Sequence, residues 1–132
     1  MPLLNLRIAG AADPELAARA AAVVHCHTVE ILGKQPDLIA VAVDFVDPAT
    51  WFVAGQSLAR RGRRSFHLEI KVTDETNTKA EKARFIEAVF GSFETLFGPL
   101  HEESYIHVHD VRAAAYGYGG RTQEWRYHQR RG

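Results

Sequence analysis

The chain has 132 residues, 46% of them apolar, which suits one compact domain with a sizeable core (residues 1–132) and leaves no room for a second. Sixteen Lys plus Arg balance sixteen Asp plus Glu, so no net field recommends a nucleic acid or an anionic membrane as partner. The single cysteine, Cys26, excludes an intrachain disulfide, and no apolar run approaches the roughly 20 residues that span a bilayer; a soluble, cytoplasmic protein is expected.

The first segment, MPLLNLRI, is an apolar run that reads as a strand, with proline at position 2. With Met1 in place the Pro2 nitrogen is a tertiary amide without basicity. With Met1 removed it is a secondary amine able to accept a proton near neutral pH. Pro2 alone leaves two readings open: a strand opener whose missing N–H costs nothing, or a base.

From Asp13 onward, Leu16, Ala20, Val23, Val24, His27 and Ile31 make a helical stripe that starts at an Asp-Pro cap and stops at Gly33. LIAVAVDFV (38–46) follows as a strand rich in β-branched residues. The segment 51–65, WFVAGQSLARRGRRS, contains a short apolar strand and two glycines and reads as a strand with a hairpin-like excursion. FHLEIKV (66–72) alternates as a half-buried strand does. Next comes a helix opened by a Thr78/Glu81 capping box, carrying Phe85, Ile86, Val89, Phe90, Phe93, Leu96 and Phe97 on one face and closed by Gly98. SYIHVHDV (104–111) is a last core strand, and a glycine-, aromatic- and arginine-rich tail (112–132) follows, with aromatic residues available to pair with a neighbour's sheet edge.

ILGKQPDLIAVAVDFV (31–46) lies over LFGPLHEESYIHVHDV (96–111), and PLLNLRI (2–8) over FHLEIKV (66–72). A tandem β-α-β duplication explains both matches. The expected fold is α+β: repeat units of about 2–46 and 66–111 joined in one four-stranded mixed sheet with both helices on one face. The other face, expected to be largely apolar, would be buried by self-association.

Two basic stretches, ARRGRRS (59–65) and RTQEWRYHQRRG (121–132), are solvated surface or contacts for carboxylate or phosphate. HVH on one strand face and HCH on a helix raise a metal reading. It is not favoured: His25 and His27 point about 200° apart and no third ligand has dependable spacing.

The proline after Met1, the two β-α-β units, GKQPDLIAV after the first helix and YIHVHDV…YGYGG near the end together resemble the tautomerase superfamily. The likeness is nearest to its double-length members, the macrophage migration inhibitory factor and cis-3-chloroacrylic acid dehalogenase branches. The resemblance implies a homotrimer and a cofactor-independent keto–enol tautomerase, an isomerase acting on a small enol or 2-oxo acid, with no metal and with Pro2 as catalytic base. An α-amino group titrates near about 8, and burial in an apolar pocket lowers that value towards neutrality. By the same resemblance Lys34 and Tyr105 stabilise oxygen charge, His107 stands where the family has asparagine, and Tyr116, Tyr118, Trp51 and Phe52 line the pocket. Lys34 also has a plain role as a cation at a helix C-terminus. The dehalogenase branch holds its substrate carboxylate with an arginine pair just after the third core strand; here that stretch is KVTDETNT (71–78), and its helical histidine is replaced near Thr28. Dehalogenation is therefore disfavoured, and a carboxylate is left to Lys34, Arg7 or the basic turn of Arg60, Arg61, Arg63 and Arg64. A non-enzymatic trimeric binding or interaction module of the same fold, or a hydratase, decarboxylase or dehalogenase relative, are the alternatives.

Overall fold

The computed structural model describes residues 2–131, with side chains as far as Gln129. Met1, on which the state of the Pro2 nitrogen depends, lies outside the described residues, as do the side chains of Arg130 and Arg131 in the basic tail. The elements in chain order are β1 (Leu3–Ala9), α1 (Pro14–Glu30), β2 (Ala40–Val46), β3 (Phe52–Val53), β4 (Gln56–Ser57), β5 (Phe66–Thr73), α2 (Lys79–Phe97), β6 (Tyr105–Val111), β7 (Gly117–Tyr118), β8 (Arg121–Thr122) and α3 (Gln123–Arg131).

Strict alternation makes the two central strands. β1 buries Leu4, Leu6 and Ile8, and β5 buries Phe66, Leu68, Ile70 and Val72, all on the same side of the sheet. The two strands pair antiparallel, with Leu6 opposite Leu68 and Leu4 opposite Ile70. Each carries its own repeat partner in parallel on its outer edge, giving the order β2-β1-β5-β6. The duplicated β-α-β plan and the mixed four-stranded sheet expected from the sequence are both present.

The helices supply the other half of the core. α1 begins where the Asp13 carboxylate accepts the Leu16 N–H at 3.1 Å, with Pro14 in the first turn. It buries Ala20, Val24 and Thr28, and the Thr28 hydroxyl donates to the Val24 carbonyl at 2.6 Å, so a polar residue extends the stripe at no cost in unpaired groups. α2 opens with the reciprocal Thr78/Glu81 capping box and buries Phe85, Val89 and Phe93. Phe93 meets Phe66 edge to face at 4.8 Å and Phe97 at 4.7 Å, tying helix to sheet. His27 faces outward from this core: its ring Nε2 lies 2.8 Å from Ser92 Oγ on α2.

The strand expected from residue 38 begins at Ala40, because Pro36 opens a single 3-10 turn over Pro36–Leu38 closed by the Leu38 N–H on the Gln35 carbonyl. The excursion over 51–65 is the small β3–β4 hairpin, turned through Ala54 (φ 53°) and Gly55 (φ 76°).

One expectation fails. The uncovered sheet face is not largely apolar. Asn5 and Arg7 of β1, His67, Glu69 and Lys71 of β5, and Tyr105, His107 and His109 of β6 stand on it in register. Period-two alternation sends most branched residues of the four strands to the helix side, including Val41, Val43, Ile106 and Val108 on the edges. Leu3, 46% exposed, and the strand-end residues Val46 and Val111 share the uncovered face with the polar side chains.

Phe93 is fully buried between helix and sheet, so Phe93→Ala is expected to cost about 3–5 kcal/mol, a large part of a domain's stability. Urea unfolding followed by circular dichroism measures it, and a loss below about 1 kcal/mol would contradict this packing.

Candidate functional site

Two cavities at opposite ends of the sheet hold the residues singled out in the sequence apart from Pro2. The first, about 510 Å³, opens where α1 ends and β5 ends. Gly33, at φ 69°, turns the chain off the helix; its N–H and that of Lys34 donate back to the carbonyls of Val29 and Thr28. The Lys34 side chain then projects into the cavity, its Nζ donating to Thr76 Oγ1 at 2.9 Å. Burial holds the Lys34 ammonium below its ordinary pKa, against the opposing pull of Glu81 and Asp110. Val72 and Thr73 form the floor, and Tyr116 and Tyr118 stand in the wall, Tyr116 hydrogen-bonded through its hydroxyl to Thr73.

Pro2 is buried at the head of β1, and its carbonyl accepts the Ala40 N–H at 3.1 Å. The β1–β5 register, carried two residues beyond Leu4 and Ile70, brings Pro2 level with Val72. Val72 lines the cavity and Pro2 is not among the lining residues. The proline thus lies beside this cavity, behind its floor.

The tail completes the cavity in a way the sequence reading missed. β7 and β8 form a tight hairpin, in which a Cβ on Gly117 would sit 1.9 Å from the Arg121 carbonyl oxygen, so only glycine fits. The hairpin delivers α3, and Gln123, Trp125 and Arg126 face the cavity. The Arg126 guanidinium lies 3.9 Å over the Tyr118 ring and donates from Nη2 to the Tyr118 carbonyl at 2.8 Å. The aromatic and basic pair Trp125 and Arg126, with Gln129 one turn on, was the available signal. It was obscured because α3 has almost no apolar stripe of its own.

The second cavity, about 570 Å³, is on the uncovered face at the far end of β1. Trp51, Phe52, Tyr105 and His107 line it together with Arg7 and His67. Tyr105 is 59% exposed. Its ring stacks on His107 at 6.1 Å, His107 stacks on His109 at 5.6 Å, and His67 meets His107 edge to face at 5.4 Å. Arg7 lies five residue steps along the strand from Pro2, about 17 Å at strand rise, so within one chain Tyr105 and His107 do not converge with Pro2 and Lys34. The basic turn is also remote from Lys34. Arg63 donates to the Leu100 carbonyl at 3.2 Å and Arg64 lies over Phe97, so these side chains serve the fold.

The HCH motif does not gather, whereas the two histidines of HVH adjoin His67 on the uncovered face. His25 Nε2 lies 2.9 Å from the Pro36 carbonyl oxygen, and among the described residues no cluster of three or more His, Cys, Asp or Glu is placed to hold a metal ion. No helix among the described residues is long and apolar enough to cross a membrane.

Burial, followed by His107, Arg7 and His109, lowers the pKa of His67 against the pull of Glu69. A histidine with a lowered folded pKa favours the folded state while neutral. That stability is present above about pH 6.5 and is lost as pH falls from there through the lowered value. Thermal unfolding from pH 8 to pH 5 should therefore show falling stability, and His67→Gln should flatten the slope; an unchanged slope in the variant would exclude this source.

No family model matches the chain, and no curated protein matches it in sequence. Solved structures match over almost the whole length. Native fused 4-OT superposes with a TM-score of 0.80 at 17% identity, covering 93% of this chain and 97% of that one. Pt0534 inactivated by 2-oxo-3-pentynoate gives 0.81 at 14% identity over 94% and 98%. The macrophage migration inhibitory factor homologue from Prochlorococcus marinus gives 0.75 at 21% identity over 91% and 97%. At such identities the likeness is one of fold, and the fold is that of the tautomerase superfamily in its double-length form.

Proposed function

We propose that the chain is a tautomerase-superfamily enzyme that interconverts the enol and keto forms of a small 2-oxo acid without a cofactor, with Pro2 as general base once Met1 is removed. The observation that carries the reading is the first cavity: a desolvated lysine ammonium, Lys34, in a concave site beside the buried head of β1, with no carboxylate among its lining residues. A free prolyl nitrogen at that place would lie level with apolar Val72, and burial there disfavours its protonated form.

The steps balance within one substrate. The Pro2 nitrogen takes the proton of the enol hydroxyl, leaving an enolate whose oxygen charge Lys34 neutralises. The prolinium then returns that proton to the substrate carbon and regenerates the amine, giving the keto acid. The pyrrolidine ring keeps the nitrogen in one orientation through both transfers.

Tyr105 and His107 enter this scheme only through an assembly. Fused 4-OT, whose fold this chain shares, forms a symmetric trimer in one structure and asymmetric trimers in others. In a homotrimer of this chain, the exposed Tyr105 and His107 of one subunit would supply hydrogen-bond donors to the Pro2–Lys34 cavity of the next, with Trp51 and Phe52 as apolar wall. A binding module without catalysis is the competing reading, and the position of Pro2 behind the cavity floor favours it if Met1 stays in place.

Two measurements decide. Intact mass of the native chain should lack methionine. On a panel of enol acids Pro2→Ala should lower kcat/KM by about a hundredfold or more, the usual worth of a positioned base. Equal activity of Pro2→Ala and the processed wild type overturns the proposal.

A further inference from the structure

A third cavity, about 350 Å³, opens at the end of β1, where Ala9 and Gly10 leave the sheet beside the basic turn 59–64. Three of the turn's four arginines, Arg61, Arg63 and Arg64, line it, and no acidic side chain does. Asp13 and Asp47, the acidic residues beside it in sequence, act as caps that accept the Leu16 and Ala49 N–H groups. Among the described residues none of the three guanidiniums has an ion-pair partner. Like charges facing one cavity repel, and a turn left to solvent would splay them. Here the fold holds each in place. Arg63 Nη1 donates to the Leu100 carbonyl at 3.2 Å, Arg64 Cζ lies 5.9 Å over the Phe97 ring, and Arg61 Nη1 stands 3.5 Å from the Val53 carbonyl oxygen. One contact apiece leaves most of the five donors of each guanidinium unused. The Arg64 backbone is pinned as well, its N–H on the Pro99 carbonyl and its carbonyl on the His101 N–H. Gly10 keeps the cavity open, since a Cβ there would already lie 3.8 Å from Arg64 Cζ and a longer side chain would crowd the guanidinium.

We propose that this cavity is an anion-binding site, separate from the Lys34 cavity, that takes a phosphate dianion, free or as the head of a small phosphate monoester. A carboxylate brings two oxygens and one charge, enough for one guanidinium. A phosphate presents three or more acceptor oxygens and close to two charges, and can bridge two or three guanidiniums at once. The concave, closed-in volume favours such a compact anion over an extended polyanionic backbone. The rest of the lining is Ala9, Gly10, Pro48, Leu58, Ala59 and Gly62, and arginine stays protonated, so no side chain there can exchange a proton with the anion or attack it. The site binds and does not transform. A bound phosphate would tie the end of β1 to the turn that follows β4 and, through Arg63 and Arg64, to the chain after α2.

The test is calorimetry and amide NMR on the full-length protein at fixed ionic strength, with inorganic phosphate, glycerol 3-phosphate and acetate as probes. Either phosphate should bind at least about tenfold more tightly than acetate, the worth of one further charge-assisted pair, and should shift the N–H resonances of Gly10, Gly62 and Arg64. Tighter binding of glycerol 3-phosphate marks a monoester as the ligand, and tighter binding of inorganic phosphate marks the free ion. Arg63 and Arg64 also hold the chain, so Arg61 is the arginine to replace. Arg61→Gln should weaken the phosphates about tenfold, and Arg61→Lys, which keeps the charge and loses the planar fork, should recover part of that. Arg60→Gln removes the same charge from a side chain outside the cavity, and Lys34→Gln removes one from the first cavity; both should leave the phosphate Kd within about twofold. The inference is overturned by equal affinity for phosphate and acetate, by equal weakening in Arg60→Gln and Arg61→Gln, or by phosphate shifts centred on Gly33 and Tyr118 that vanish in Lys34→Gln. Affinity that grows with the length of a single-stranded oligonucleotide overturns it too, in favour of a polyanion on the surface of the turn.

Discussion

The antiparallel seam between β1 and β5 is the contact on which the rest of the molecule depends. Each repeat alone is a two-stranded parallel ladder with one helix, too little sheet to bury its own apolar side. Joined at Leu4–Ile70 and Leu6–Leu68, the two repeats share one continuous core of Leu, Ile and Phe side chains closed by α1 and α2. The register of that seam cannot slip. A shift by one residue would carry Leu4, Leu6 and Ile8 to the uncovered face and bring Asn5 and Arg7 under the helices, where nothing is placed to receive them.

The same register decides what the two ends of the sheet present. At one end it sets the head of β1 against the end of β5, where Gly33 turns Lys34 inward and the chain after β6 folds back to close the cavity. At the other end it aligns Arg7 with His67 and His67 with Tyr105, so three strands contribute one side chain each to a row across the face. Strand order and alternation fix where both cavities lie, and the tail after β6 and the excursion after β2 supply the rest of their walls.

The sequence disclosed the architecture because its signals were local and repeated. The Thr78/Glu81 box, the Asp13-Pro14 cap, Gly33 and Gly98 at the helix ends, and the alternation of FHLEIKV each have a short-range physical cause. Lys34, Tyr116 and Tyr118 were singled out by resemblance and stand in one cavity; Trp51, Phe52, Tyr105 and His107 stand in another. That division was not legible, because it depends on which end of an antiparallel seam each strand reaches. The polarity of the uncovered face was misjudged by reading the apolar content of a strand without assigning it to a side. Arg126 was passed over within a basic tail that looked solvated, because its place in the cavity arises from a glycine hairpin aiming a short helix back at the chain, a tertiary event with little trace in periodicity.

Duplication raises the question of why the proposed chemistry falls at one end and not at its counterpart. The superposed repeats place Phe66 where the first has Pro2, and Pro99 where the first has Lys34. In the second unit the strand head is sealed: the Phe66 N–H donates to Ser104 Oγ, and the Arg64 N–H and carbonyl engage Pro99 and His101 across the start of the ladder. The nitrogen at position 66 is an amide in mid-chain, incapable of basicity, and the residue after the helix carries no charge. The first unit alone combines a proline ring nitrogen that removal of one residue would free with a cation after the helix, and the tail folds over that cation. A symmetric scaffold therefore yields an asymmetric cavity at one end, and the asymmetry comes from the two differences between the repeats at Pro2/Phe66 and Lys34/Pro99 together with one appended hairpin and helix.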